Sequence, residues 1–101
     1  MNIEDAVKKI VENWETLKKD TIEGYEAVWI VDDISAGYQV DEERIGIMKD
    51  GSFVWAYASG CSCWEGDYST QVEKSVKVFE LEHKKAPEEW EKEIIALAES
   101  I

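Results

Sequence analysis

Basic and imidazole chemistry is what this sequence has least of. Arg44 is the sole arginine and His83 the sole histidine among 101 residues, and 23 carboxylates face only 11 lysines and arginines, for a net charge of −12. Such a chain repels nucleic-acid phosphates and anionic membrane surfaces, so direct nucleic-acid binding is not expected. A single guanidinium leaves almost nothing for bidentate recognition of phosphates or base edges. Asparagine and glutamine are also scarce (Asn2, Asn13, Gln39, Gln71) beside abundant glutamate and lysine, a bias seen in proteins of hot environments. No apolar run approaches the roughly 20 residues that span a bilayer. The start, Met1-Asn2-Ile3-Glu4-Asp5, has neither the basic stretch nor the apolar stretch of a signal peptide, so a cytoplasmic location is expected. The glycines, scattered and few, form no Walker loop or dinucleotide fingerprint, and no Ser-His-Asp set or internal repeat is present.

What remains is a foldable chain. Hydrophobic residues make up 45% of it, including five tryptophans, four tyrosines and two phenylalanines, which is enough to build one core despite the charge. Residues 1–101 read as a single acidic domain. Ile3, Ala6, Val7, Ile10, Val11, Trp14 and Leu17 recur at helical spacing over residues 3–19, with Asn2 placed to cap the first turn. From Gly24 to Ile34, Tyr25, Ala27, Val28, Trp29, Ile30 and Val31 suit a strand covered on both faces, ended by Asp32 and Asp33. A polar segment from Ser35 to Glu43 follows, with room for a short strand at Tyr38 to Val40.

Arg44 to Lys49 and Ser52 to Ser59 flank Asp50-Gly51, the dipeptide of a two-residue type I′ hairpin turn. That turn sets Lys49 opposite Ser52, Met48 opposite Phe53, Ile47 opposite Val54, Gly46 opposite Trp55 and Ile45 opposite Ala56, with the Trp55 indole over Gly46. One face then holds Ile45, Ile47, Val54 and Ala56, and the other Met48, Phe53, Trp55 and Tyr57. Ser75 to His83 alternates Val76 and Val78 against Lys77, Phe79, Leu81 and His83 and reads as a fourth, edge strand. Pro87 opens a second helix over 87–100 with an apolar stripe of Trp90, Ile94, Leu97, Ala98 and Ile101. The expected architecture is α+β: an antiparallel sheet of about four strands with N-terminal and C-terminal helices packed on it. Trp14, Trp29 and Trp55 are expected to be largely buried.

Chemistry-bearing residues concentrate in Gly60-Cys61-Ser62-Cys63-Trp64-Glu65-Gly66-Asp67-Tyr68. The spacing of Cys61 and Cys63 is poor for a disulfide in extended chain, so a bond there would be strained and redox-active. Thiolates bind soft metals, and His83 or a second subunit could complete a Cys61, Cys63 site, but two ligands alone are not one. Glu65 and Asp67 raise a neighbouring thiol pKa, which disfavours a nucleophilic cysteine. Asp32, Asp33, Asp41, Glu42, Glu43, Glu65 and Asp67 could hold a divalent cation or work as an acid/base pair, or form a solvated acidic rim.

The run Ala58-Ser59-Gly60-Cys61-Ser62-Cys63-Trp64-Glu65-Gly66, directly after a strand, resembles a Gly-Cys-Ser-Cys-aromatic signature of small uncharacterised proteins of phages and archaeal viruses. The resemblance covers about a tenth of the chain. It implies a viral or mobile-element origin, and hence host cytoplasm, but brings no catalytic residues. The leading expectation is a non-enzymatic protein-interaction module without cofactor or metal, compatible with a homodimer. It would bind a basic protein surface through Trp64 and Tyr68, bordered by Asp32, Asp33, Glu42, Glu43, Glu65 and Asp67. A small metal or redox protein using Cys61 and Cys63 is the second reading, and a carboxylate/divalent-cation enzyme the third.

Overall fold

A computed structural model describes residues 1–36, 39–61, 69–81 and 87–101. The order is α1 (Ile3–Glu12), a 3-10 turn (Trp14–Thr16), β1 (Asp20–Ile22), β2 (Tyr25–Ala36), β3 (Gln39–Ile47), β4 (Phe53–Cys61), β5 (Ser69–Ser75), a second 3-10 turn (Val78–Glu80) and α2 (Pro87–Glu99). The strands form one antiparallel meander in the order β1-β2-β3-β4-β5. The fold is α+β, with five strands rather than about four, and the two helices pack on the sheet.

Asn2 caps α1 as its sequence suggests, its Oδ1 accepting from the Asp5 N–H at 2.8 Å. The helix stops at Glu12, however, and not near residue 19. Asn13 ends it: its side chain donates to the Lys9 carbonyl at 2.8 Å, and its own carbonyl then accepts from the Thr16 hydroxyl at 2.9 Å. This local bonding competes with the helical ladder and tightens the next turn to 3-10. Trp14 thereby leaves the helical stripe and sends its indole N–H to the Ile47 carbonyl at 3.2 Å.

The β1–β2 hairpin turns on Glu23 and Gly24, both at positive φ (50° and 85°), the backbone of a type I′ turn. Strand β1 has no counterpart in the sequence expectations. Asp32 and Asp33 do not end β2; pairing with β3 carries it on to Ala36, so the segment around residues 35–43 is mostly strand. Cross-strand pairing overrides the local polarity there.

The β3–β4 turn corrects the expected register. Met48 N–H donates to the Ser52 carbonyl and Gly51 N–H to the Met48 carbonyl, both at 2.9 Å. Gly51 takes φ +86°, so the loop is Lys49-Asp50-Gly51: a type I turn closed by a left-handed glycine, three residues rather than two. One extra loop residue shifts every pair by one. Ile47 faces Phe53, Gly46 faces Val54, Ile45 faces Trp55 and Arg44 faces Ala56. Ile47 and Val54 therefore lie on opposite faces. Asp50 supports the turn by accepting from both the backbone and the hydroxyl of Ser52. Those bonds, with Lys74 nearby, hold its carboxyl below the usual aspartate range.

The core forms on the face that takes Val28, Ile45, Ile47, Phe53 and Trp55, under Ala6, Ile10 and Trp14 from the first helical segment and Trp90, Ile94 and Ala98 from α2. Burying each large apolar side chain contributes about 1.5–3 kcal/mol. The other face is lined by small residues, with Ala27, Val54 and Ala56 buried. Trp29 belongs to this second face and is half-buried, not a core residue. It stands opposite Gly46 in the register, so the indole beside this glycine is that of Trp29, with Trp55 on the core face.

The expected fourth strand over 75–83 is also corrected. Strand β5 ends at Ser75, whose hydroxyl accepts from the Lys77 N–H at 3.1 Å and donates to the Glu80 carboxylate at 2.7 Å. The chain then turns through the 3-10 segment, where side chains three apart share a side. Val78 and Leu81 are buried, while Val76 and Phe79 are exposed.

Candidate functional site

That three-residue period builds a groove. Ile3, Glu4 and Val7 from α1, Gly51 and Phe53 from the β3–β4 hairpin, the stretch Val76 to Phe79 and Glu91 from α2 line a cavity of 680 Å³. Phe53 and Val78, 6% and 3% exposed, belong to the core beneath it. Phe79 and Val76 remain 62% and 72% exposed. Lys77 sits beside this lip, its ammonium 5.6 Å from the Phe79 ring centroid and 3.9 Å from a Glu80 carboxylate oxygen. The groove is predominantly apolar, with Glu4, Glu91 and Lys77 as its charged members among the described residues. Cavities of this size and lining suit apolar side chains, with the few polar groups fixing orientation.

The residues singled out in the sequence are distributed differently. Asp32 stands directly opposite Glu43 in the β2–β3 register, Asp33 opposite Glu42 and Ile34 opposite Asp41. The four acidic positions thus stand as two cross-strand pairs in the register. Neighbouring positions alternate between faces, so the two pairs belong to opposite sides of the sheet. Glu43 is buried and stands opposite Tyr57, whose ring stacks on Trp55 at 5.7 Å between centroids. Cys61 is the last residue of β4, in register with Gln39. Trp64, Glu65, Asp67, Tyr68, Cys63 and His83 lie outside the described residues. Among the described residues, no group of three or more histidine, cysteine, aspartate or glutamate side chains is arranged to hold a metal ion. No helix among them is long and apolar enough to cross a membrane.

Sequence reasoning missed the groove because it placed Phe79 and Leu81 together on one side of a strand. Spacing carries the missed signal: Val76/Phe79 and Val78/Leu81 are both three apart, and Ser75 before them is a residue that closes local turns. The structure defines an α+β fold with an apolar surface groove bounded by α1, α2, the β3–β4 hairpin and the stretch from Val76 to Phe79. No family model, curated protein or solved structure matches the chain.

Proposed function

We propose that this chain is a non-enzymatic protein-interaction module that binds a partner with a basic surface, seating apolar side chains of that partner in the groove. The observation that carries the reading is the exposure of Phe79 and Val76 beside a predominantly apolar cavity. A solvent-exposed aromatic next to an apolar hollow is costly to leave in water and is characteristic of contact anchors. The sign of the partner follows from the net charge of −12, with Glu4 and Glu91 at the groove itself. Trp64 and Tyr68, with Glu65 and Asp67, remain candidates for an additional contact, and a viral origin would make the partner a host protein.

The test is capture of partners by the immobilised protein, identified by mass spectrometry, compared with a Phe79→Ser/Val76→Ser variant. Both side chains are exposed, so the variant should keep the parental stability within about 0.5 kcal/mol per site. It should lose the partner. Retention of the same partner at the same affinity, or capture of nucleic acid alone by the parent, would reject the reading.

A further inference from the structure

Strand β2 is much longer than the strand that borders it. On one side β3 pairs with it from Val28 to Ala36; on the other, β1 reaches only Tyr25 to Ala27. Nine positions, spanning about 30 Å, therefore have no strand beside their outer edge among the described residues.

The direction of the backbone groups follows from the turn. A two-residue type I′ turn makes Ile22 and Tyr25 its hydrogen-bonded closing pair, so the odd-numbered residues of β2 aim N–H and C=O toward the β1 side. Continued along the strand, Trp29, Val31, Asp33 and Ser35 present theirs to the open edge, while the even-numbered residues bond β3. The stretch Val28-Trp29-Ile30-Val31-Asp32-Asp33-Ile34 is rich in β-branched residues and holds no proline, glycine or lysine to blunt it. An edge of this kind is a template for an added strand.

Charge selects the occupant. A second copy pairing antiparallel over the whole stretch would bring Asp32 against its own counterpart at a non-hydrogen-bonded position, where Cα atoms approach to about 4.5 Å. Each copy would also carry −12. A strand bearing lysine or arginine meets the opposite situation, with Asp32 and Asp33 on the edge strand and Glu42 and Glu43 one strand further in.

We propose that the outer edge of β2 from Trp29 to Ser35 accepts an extended basic segment of the partner protein as a sixth strand. This rests on the reading of the chain as a module for a basic partner, but uses a surface separate from the groove. Main-chain bonds supply affinity in such strand addition, and the aspartates supply selection.

The probe is a blocked peptide of about ten residues alternating lysine and valine, long enough to cover the open edge, with a glutamate-valine peptide as its control. Titrated into the full chain at low salt, the lysine peptide should bind and slow amide exchange at Trp29, Val31, Asp33 and Ser35. Val31→Pro removes an outward N–H, a change that edge strands tolerate, and should weaken binding by about tenfold or more. Asp32→Lys/Asp33→Lys should do the same without touching the backbone, and decides the matter if the proline variant unfolds. A peptide affinity that falls in Phe79→Ser as it does in the edge variants would place the peptide in the groove and overturn the proposal. Failure of the edge is thereby separated from failure of the groove. Equal binding of the two peptides, unaltered affinity in the charge-reversal variant, or protection of these amides by self-association without peptide would overturn the proposal.

Discussion

At Gly46 a missing side chain decides how two strands pack. A Cβ built there would lie 2.8 Å from the Ala27 Cβ, 2.9 Å from the Trp29 ring and 2.9 Å from a Val54 methyl. Elsewhere in a strand, replacing glycine with alanine removes a conformational-entropy penalty of about 0.5–1 kcal/mol. Here the gain is outweighed, because the Ala27 Cβ is fixed to the backbone and cannot swing aside. Gly46→Ala should destabilise by about 1–3 kcal/mol in a denaturant titration, as overpacking does. Stability equal to or above the parent would mean that the second sheet face is looser than these distances imply. Phe79 presents the reverse case, a large side chain with exposed area to spare, and the contrast separates a position set by packing from one available for contact.

The elements show why some of this was legible beforehand and some was not. Both helices declare themselves through apolar spacing and end residues, Asn2 for α1 and Pro87 for α2. The β3–β4 hairpin does so through Asp50-Gly51, yet its register depends on whether the loop holds two residues or three. Either count uses a left-handed glycine at Gly51, so the dipeptide locates the turn without fixing which side chains reach the core. The β1–β2 turn was not legible, because Glu23-Gly24 puts glutamate where asparagine, aspartate or glycine is usual. Glu23 pays for that with a φ of 50° that L-residues rarely adopt. Glu23→Asn should relieve it, raising stability by about 0.5–1 kcal/mol and Tm by about 2–6 °C. An unchanged or lowered Tm would indicate that the glutamate side chain contributes something to the hairpin that asparagine cannot replace. The placement of the expected acidic residues on β2 and β3 was not legible: only the register shows that Asp32 stands opposite Glu43 and Asp33 opposite Glu42. The groove escaped for the same kind of reason, since a 3-10 turn and a short edge strand share composition and differ in period.

For the whole molecule, a charge of −12 has opposite consequences for folding and for binding. Folding gathers the carboxylates into a smaller volume, so self-repulsion opposes the compact state, and exposed pairs such as Lys49–Glu15 at 3.1 Å and Lys74–Asp50 at 3.7 Å each offset little of it. Salt shortens the range of that repulsion, from a Debye length of about 30 Å at 0.01 M to about 10 Å at 0.1 M. Thermal stability should therefore rise as sodium chloride is raised across this range. On the proposed function, affinity for a basic partner should fall over the same interval, chiefly through slower association, because long-range attraction is screened while apolar contacts in the groove are not. Measuring Tm and Kd on one salt series tests both signs together. A Tm that falls with salt would show that favourable ion pairs outweigh the net repulsion. An affinity that stays flat while Tm rises would leave the apolar groove as the whole of the recognition and remove charge from it.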